Sequence, residues 1–352
     1  MNFSKLIKNI VLSHMIVMLS IPAFSQDEEE AGLVISGSVD TYYTYDFSGN
    51  DNIGTSFADD RNSISIGMID VGLSHTLGRA SFVGEVSFGP RSFKSIPLFD
   101  LGDGDDAIMG IQNLYVSYAV SDVVSLTAGY MGTFVGYEVI SPAGNFNYST
   151  SYLFTNGPFQ NSGLKADFAF ADNFSVMVGL FNDWNVYTDD NGVSDFGAQV
   201  YFAPVDGWDV YLNFVSGSPS GTVLDITTGY QITDGFYLGL NAADYSISGS
   251  GDSEGGYSGV ALYPQVGLSD NFSLGLRSEY FSFKDQLDES GTLVAPSENV
   301  FSNTLTGNFS LDQLTFIAEV RLDGASEDVF IDSDALASSS ASQMTLAAIY
   351  KF

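Results

Sequence analysis

Cysteine is absent from the 352 residues, histidine occurs twice, and 11 basic residues face 43 acidic ones. Without cysteine there is no disulfide framework, no thiolate chemistry and no cysteine metal site. The shortage of Lys and Arg argues against a nucleic-acid partner, whose phosphates need basic side chains. No internal run of about 20 apolar residues exists, so a bundle of membrane-spanning helices is excluded too. Proline is scarce at 9 residues, and no proline-rich or low-complexity linker divides the chain; one domain is expected after a leader.

That leader is Met1–Ser25. Lys5 and Lys8 precede an apolar run from Ile10 to Ile21, and Ala23 and Ser25 stand just before Gln26, as in a cleaved secretory signal. Losing the two lysines takes the formal net charge from −32 to −34. Residues 26–32 then form a short periplasmic segment and 33–352 the body of the protein.

In that body 28 Phe, 19 Tyr and 37 Gly accompany a mean hydropathy of only +0.12. Sixteen segments show period-2 character, among them Leu33–Tyr45, Phe174–Trp184, Leu314–Leu322 and Ala341–Phe352. Short turns such as Leu77-Gly78-Arg79, Ala171-Asp172-Asn173 and Ala203-Pro204-Val205-Asp206-Gly207 alternate with mostly longer, acidic or glycine-rich connections. In lipid every backbone polar group must be paired internally. The sequence therefore predicts an all-β fold: a transmembrane antiparallel β-barrel of 16 strands in the outer membrane, with both termini in the periplasm. A secreted sandwich or β-helix is the competing fold.

Successive strand side chains face opposite ways, so charges inside strands mark the wet face. Asp40, Asp70, Glu85, Lys165, Asp167, Asp225, Arg277, Glu279, Glu319 and Arg321 are the lumen candidates, because a charge facing lipid at mid-depth is costly. They either set the field of a pore or are simply paired across the wall and hydrated. Asp100, Asp103, Asp105 and Asp106 head a set of loop carboxylates expected at the outer mouth, where they would concentrate cations in a salt-dependent way. The cluster lacks the progression of a calcium loop, and a solvated acidic loop is the plainer reading. The connection from Phe134 to Asn161 is unusually aromatic; it either folds inward to narrow the lumen or packs over the rim or at a subunit interface.

Gly144-Asn145-Phe146-Asn147-Tyr148-Ser149, Tyr152-Leu153-Phe154, Gly157-Pro158-Phe159-Gln160-Asn161-Ser162-Gly163, and Val178 to Trp184 leading to Asp189-Asp190-Asn191 carry a resemblance. With these motifs the chain resembles the OmpL-like β-barrel porin family of Gram-negative outer membranes, although Asn182-Asp183-Trp184 stands where that family looks more like Asn-Gly-Trp. The resemblance implies passive diffusion of small hydrophilic solutes or ions, and the acidic loops add an expected modest cation preference. A carboxy-terminal Phe352 looks like the signal read by the barrel assembly machinery, an implication of the wider class. The expected surroundings are a lipid bilayer and lipopolysaccharide, and likeness to sixteen-strand porins makes a homotrimer plausible.

The alternatives are a non-conducting structural or adhesive barrel and a barrel enzyme. For catalysis, the body retains only His75, beside the turn at Leu77-Gly78-Arg79 and away from an external rim. No enzyme activity, cofactor or metal is expected.

Overall fold

The computed structural model describes residues 32–97, 109–247, 254–288 and 290–352. The leader, residues 26–31, the Asp100, Asp103, Asp105 and Asp106 cluster, Asp252 and Glu289 lie outside the described residues.

The first half of the wall comprises β1 (Val34–Asp46), β2 (Ile64–Leu77), β3 (Ala80–Phe88), β4 (Gly110–Ala119), β5 (Val124–Gly132), β6 (Gln160–Ala171), β7 (Phe174–Phe181) and β8 (Asp195–Val205). The second half comprises β9 (Trp208–Gly217), β10 (Gly221–Thr233), β11 (Phe236–Ile247), β12 (Gly255–Gly267), β13 (Phe272–Phe283), β16 (Glu298–Leu311), β17 (Leu314–Ala325) and β20 (Ser340–Lys351). Small hairpins, β14 (Gln286–Leu287) with β15 (Leu293–Ala295) and β18 (Phe330–Ile331) with β19 (Ala337–Ser338), decorate two long loops. Helices are limited to α1 (Pro90–Ser95) and α2 (Tyr152–Asn156), with a 3-10 turn at Pro142–Gly144. Among the described residues no helix is long and apolar enough to cross a membrane.

The wall strands pair antiparallel in chain order and close where β20 meets β1, from Ser38 opposite Lys351 to Asp46 opposite Gln343. Closure removes the free edges that an open sheet would present to lipid. Phe352 extends the seam by exchanging two backbone hydrogen bonds of 3.0 Å with Gly37.

The apolar side chains are outside. On β17, Phe316, Val320 and Leu322 are exposed on the outer wall, while Glu319, Arg321 and Asp323 are buried within. Ile64, Val116 and Leu224 continue the outer apolar band. This inversion of a soluble core is the signature of a barrel solvated by hydrocarbon.

Strand ends differ from the sequence reading for local reasons. β7 stops at Phe181 rather than Trp184 because the Asp183 N–H donates to Asp189 Oδ2 at 2.7 Å instead of to a neighbouring strand. β8 runs on through Pro204, so the expected five-residue turn contracts to Asp206-Gly207, where Gly207 takes φ +79°. β17 extends to Ala325, adding Asp323 to the inner face.

Candidate lumen and its inserted loop

The connection from Thr133 to Phe159 lies inside the barrel, and the wall residues nominated for a hydrated lumen hold it there. Glu279 on β13 accepts the N–H groups of Tyr152 and Leu153 at 2.9 and 2.8 Å, at the start of α2. Two free backbone donors at a helix start are natural carboxylate partners. Glu319 on β17 does the same for Tyr148 and Ser149, at 2.8 and 2.9 Å.

The cations meet the loop's acceptors. Arg277 pairs with Glu138 of the loop at 2.7 Å and donates to the Ser149 carbonyl at 2.5 Å. Arg321 donates to the Thr150 carbonyl at 2.8 Å while paired with Asp323 at 2.9 Å. Asp323 accepts the Tyr152 hydroxyl at 2.8 Å. The guanidinium groups of Arg277 and Arg321 thus each have a carboxylate, which removes the large penalty of an isolated buried charge.

Aspartates fix the remainder. Asp40 accepts the Tyr148 hydroxyl and, at 2.8 Å, the N–H of Met68, close to where β1 shifts register against β2. Asp70 accepts from Ser141 Oγ at 3.0 Å and from Ser38 N and Oγ at 2.7 and 2.6 Å. Asp225 accepts from the Gly136 N–H at 3.1 Å and from Asn213 Nδ2 at 2.6 Å. Lys351 donates to the Ala143 carbonyl.

Missing side chains on the wall make room for the loop's large ones. A Cβ on Gly197 would stand 2.6 Å from the Phe134 ring, on Gly239 2.5 Å from the Tyr137 hydroxyl, on Gly275 2.3 Å from the Phe146 ring and on Gly259 3.0 Å from Leu153. Tyr137 then stacks on Tyr263 with centroids 4.1 Å apart, and Tyr152 on Phe281 at 5.7 Å. From outside the loop, Arg91 of α1 lays its guanidinium over Phe57 and Tyr148, at 4.3 and 4.9 Å. Burial pushes the phenols of Tyr137 and Tyr148 well above the ordinary tyrosine value, so both remain neutral.

Glu85, Lys165 and Asp167 stand apart from this clamp. Among the described residues, the wall from β3 to β6 makes no hydrogen bond to the loop. Glu85 accepts from Asn113 Nδ2 at 2.5 Å, Ser117 and Thr127 share a hydrogen bond of 2.8 Å, and Lys165 pairs with Asp167 at 3.1 Å. These groups belong to the side of the interior opposite the loop's anchors.

The sequence reading did not single out Arg91, Asp323 or the wall glycines. Asp323 shares the inner face of Arg321 by simple alternation and was lost only because the predicted strand stopped at Leu322. Glu138 lies within the aromatic loop, and its partner Arg277 is 139 residues away in the sequence.

No curated protein matches the chain. Among solved structures, OmpT of Vibrio cholerae, folded in vitro, superposes with a TM-score of 0.60 at 13% identity, covering 92% of this chain and 100% of that one. The outer membrane channel DcaP of Acinetobacter baumannii gives 0.58 at 12% identity over 94% and 100% of the two chains. An anion-selective porin from Comamonas acidovorans gives 0.58 at 10% identity over 91% and 99%. Such identities establish a shared barrel fold. Residues 32–352 match the model of the family described as "Putative beta-barrel porin-2, OmpL-like", and the chain belongs to that family of outer-membrane barrels.

Proposed function

We propose that this porin-family barrel lets small hydrophilic solutes or ions diffuse passively along the β3 to β6 side of its lumen, with a modest preference for cations. The one-sided anchoring of the inserted loop carries this reading: among the described residues its hydrogen bonds to the wall fall on β1, β2, β8, β10, β11, β13, β16, β17 and β20, leaving Glu85, Lys165 and Asp167 on a wall that meets the loop only through apolar packing at Ile111 and Tyr130.

The sign of the preference follows from pairing. Arg277 and Arg321 are matched by Glu138 and Asp323, and Lys165 by Asp167, so Glu85 is the unmatched ionisable group of the free wall. The acidic loops add a field of the same sign, weakened by salt. In this reading the short turns face the periplasm, Phe352 serves the assembly machinery, and three copies associate. Catalysis has no support: His75 pairs with Phe82 on the outward face of the wall.

The test is single-channel conductance of detergent-folded protein in planar bilayers, with reversal potentials across a potassium chloride gradient. Steps with a cation preference that fades at high salt support the proposal. A second reading, a closed structural barrel, draws on the full burial of Tyr148 and Arg277 inside the lumen. Absence of steps from a folded, heat-modifiable barrel would favour it.

A further inference from the structure

One short turn differs from all the others in charge. The turns after β4, β6, β8, β10, β12 and β16 contain Asp122, Asp172, Asp206, Asp234, Asp270 and Asp312, whereas the turn between β2 and β3 is Gly78-Arg79. Arg79 is exposed and spends one donor on the Val120 carbonyl at 2.8 Å. The rest of its guanidinium fork is free to meet an anion.

Beside that turn the outer wall carries a groove of about 540 Å³. Small side chains at Ala80 and Ala128 leave space bordered by Phe82, Val116, Leu126 and Leu164. His75 also lines it, two residues before the end of β2. Its imidazole has no hydrogen-bond partner among the described residues. An imidazole has both a donor and an acceptor to satisfy, and apolar surroundings make an unmet polar group costly.

We propose that this groove binds one phospholipid of the leaflet at the short-turn end, with an acyl chain between Phe82 and Leu126, its phosphate at Arg79 and its ester region at His75. Charge selects the occupant: the one cationic short turn stands where phosphates would lie, directly below an apolar groove. The half-buried histidine lies at the depth where a lipid turns from phosphate to ester. The inference rests on the barrel spanning a membrane and is independent of whether it conducts, so a silent channel would leave it standing.

Native mass spectrometry of the full-length folded protein with phosphatidylglycerol in detergent tests it. One lipid per chain should survive activation that strips the others. Arg79→Ala and the groove-filling Ala128→Trp should each lower that bound fraction at least tenfold, and Lys284→Ala, on a long loop, should leave it unchanged. Dioleoylglycerol, which lacks the phosphate, should not be retained. Heat-modifiable migration verifies folding of each variant; if Ala128→Trp misfolds, His75→Phe replaces it and should lower retention several-fold. Equal retention by wild type and the Arg79 variant would overturn the proposal. So would a groove variant that separates oligomers while keeping its lipid, because the groove would then be a contact between copies of the chain.

Discussion

Arg277 on the barrel wall and Glu138 on the inserted loop form an ion pair of 2.7 Å whose two side chains are 0% and 4% exposed. A pair so buried contributes through what happens when one member is lost. In Arg277→Met the Glu138 carboxylate keeps only its bonds to Ser151 N and Oγ, and the Ser149 carbonyl loses a donor. The expected cost is about 3–5 kcal/mol, concentrated in the loop. Thermal unfolding should occur at lower temperature and conductance should rise and become noisy. A double variant, Arg277→Met with Glu138→Gln, should recover much of the loss; equal destabilisation of single and double variants would show that the pair does not act as a unit.

Gly275 faces the Phe146 ring so closely that a methyl group cannot enter without movement. Gly275→Ala should therefore cost about 1–3 kcal/mol by overpacking and loosen the middle of the loop. Phe146→Leu in the same chain should relieve the clash. The measurement is the unfolding midpoint of the two single variants and the double; additive losses would refute the close contact.

The fold was legible because a barrel wall writes itself in local pattern. Phe316, Val320 and Leu322 alternate with Glu319 and Arg321, and pairs such as Asp172-Asn173, Asp234-Gly235 and Gly78-Arg79 announce the short turns. All sixteen wall strands were found from such signals, and they were misjudged chiefly at ends decided by a side chain, as where Asp183 turns toward Asp189. The lumen charges were legible as inward-facing for the same reason. Their task was not. Glu279 was expected to face water or a partner across the wall, and instead it caps Tyr152 and Leu153, more than a hundred residues earlier. Nothing in a strand's periodicity encodes a contact of that separation. Glycine at 239, 259 and 275 was equally silent, since an inward glycine reads the same whether it faces water or an aromatic ring.

Tyr137 and Tyr148 give the loop a dependence on alkaline pH. Burial raises both phenols in the folded protein above the unfolded value of about 10. A raised folded-state value means that the native barrel holds these protons more tightly than the unfolded chain. Their stabilisation is complete below pH about 10 and is lost as pH rises beyond it. Unfolding midpoints measured from pH 8 to 11 should fall at the alkaline end, and the fall should be shallower in Tyr148→Phe, which has no phenol to titrate there. An identical slope in that variant would remove Tyr148 from the account.

Selectivity should reside on the wall that makes no hydrogen bond to the loop among the described residues. Lys165 is the one basic group there among the described residues, paired with Asp167 at 3.1 Å, and Glu85 is bound to a neutral partner, Asn113. Lys165→Met leaves both carboxylates uncompensated and should increase cation preference, whereas Glu85→Gln should decrease it with little change in conductance. Neither residue anchors the loop, so thermal stability should shift far less than in Arg277→Met. Reversal potentials at low salt distinguish these cases, because screening at high salt shortens the reach of each charge to a few ångströms. If both substitutions leave the reversal potential unchanged while the protein still conducts, permeating ions pass elsewhere in the lumen and the assignment of the β3 to β6 wall fails.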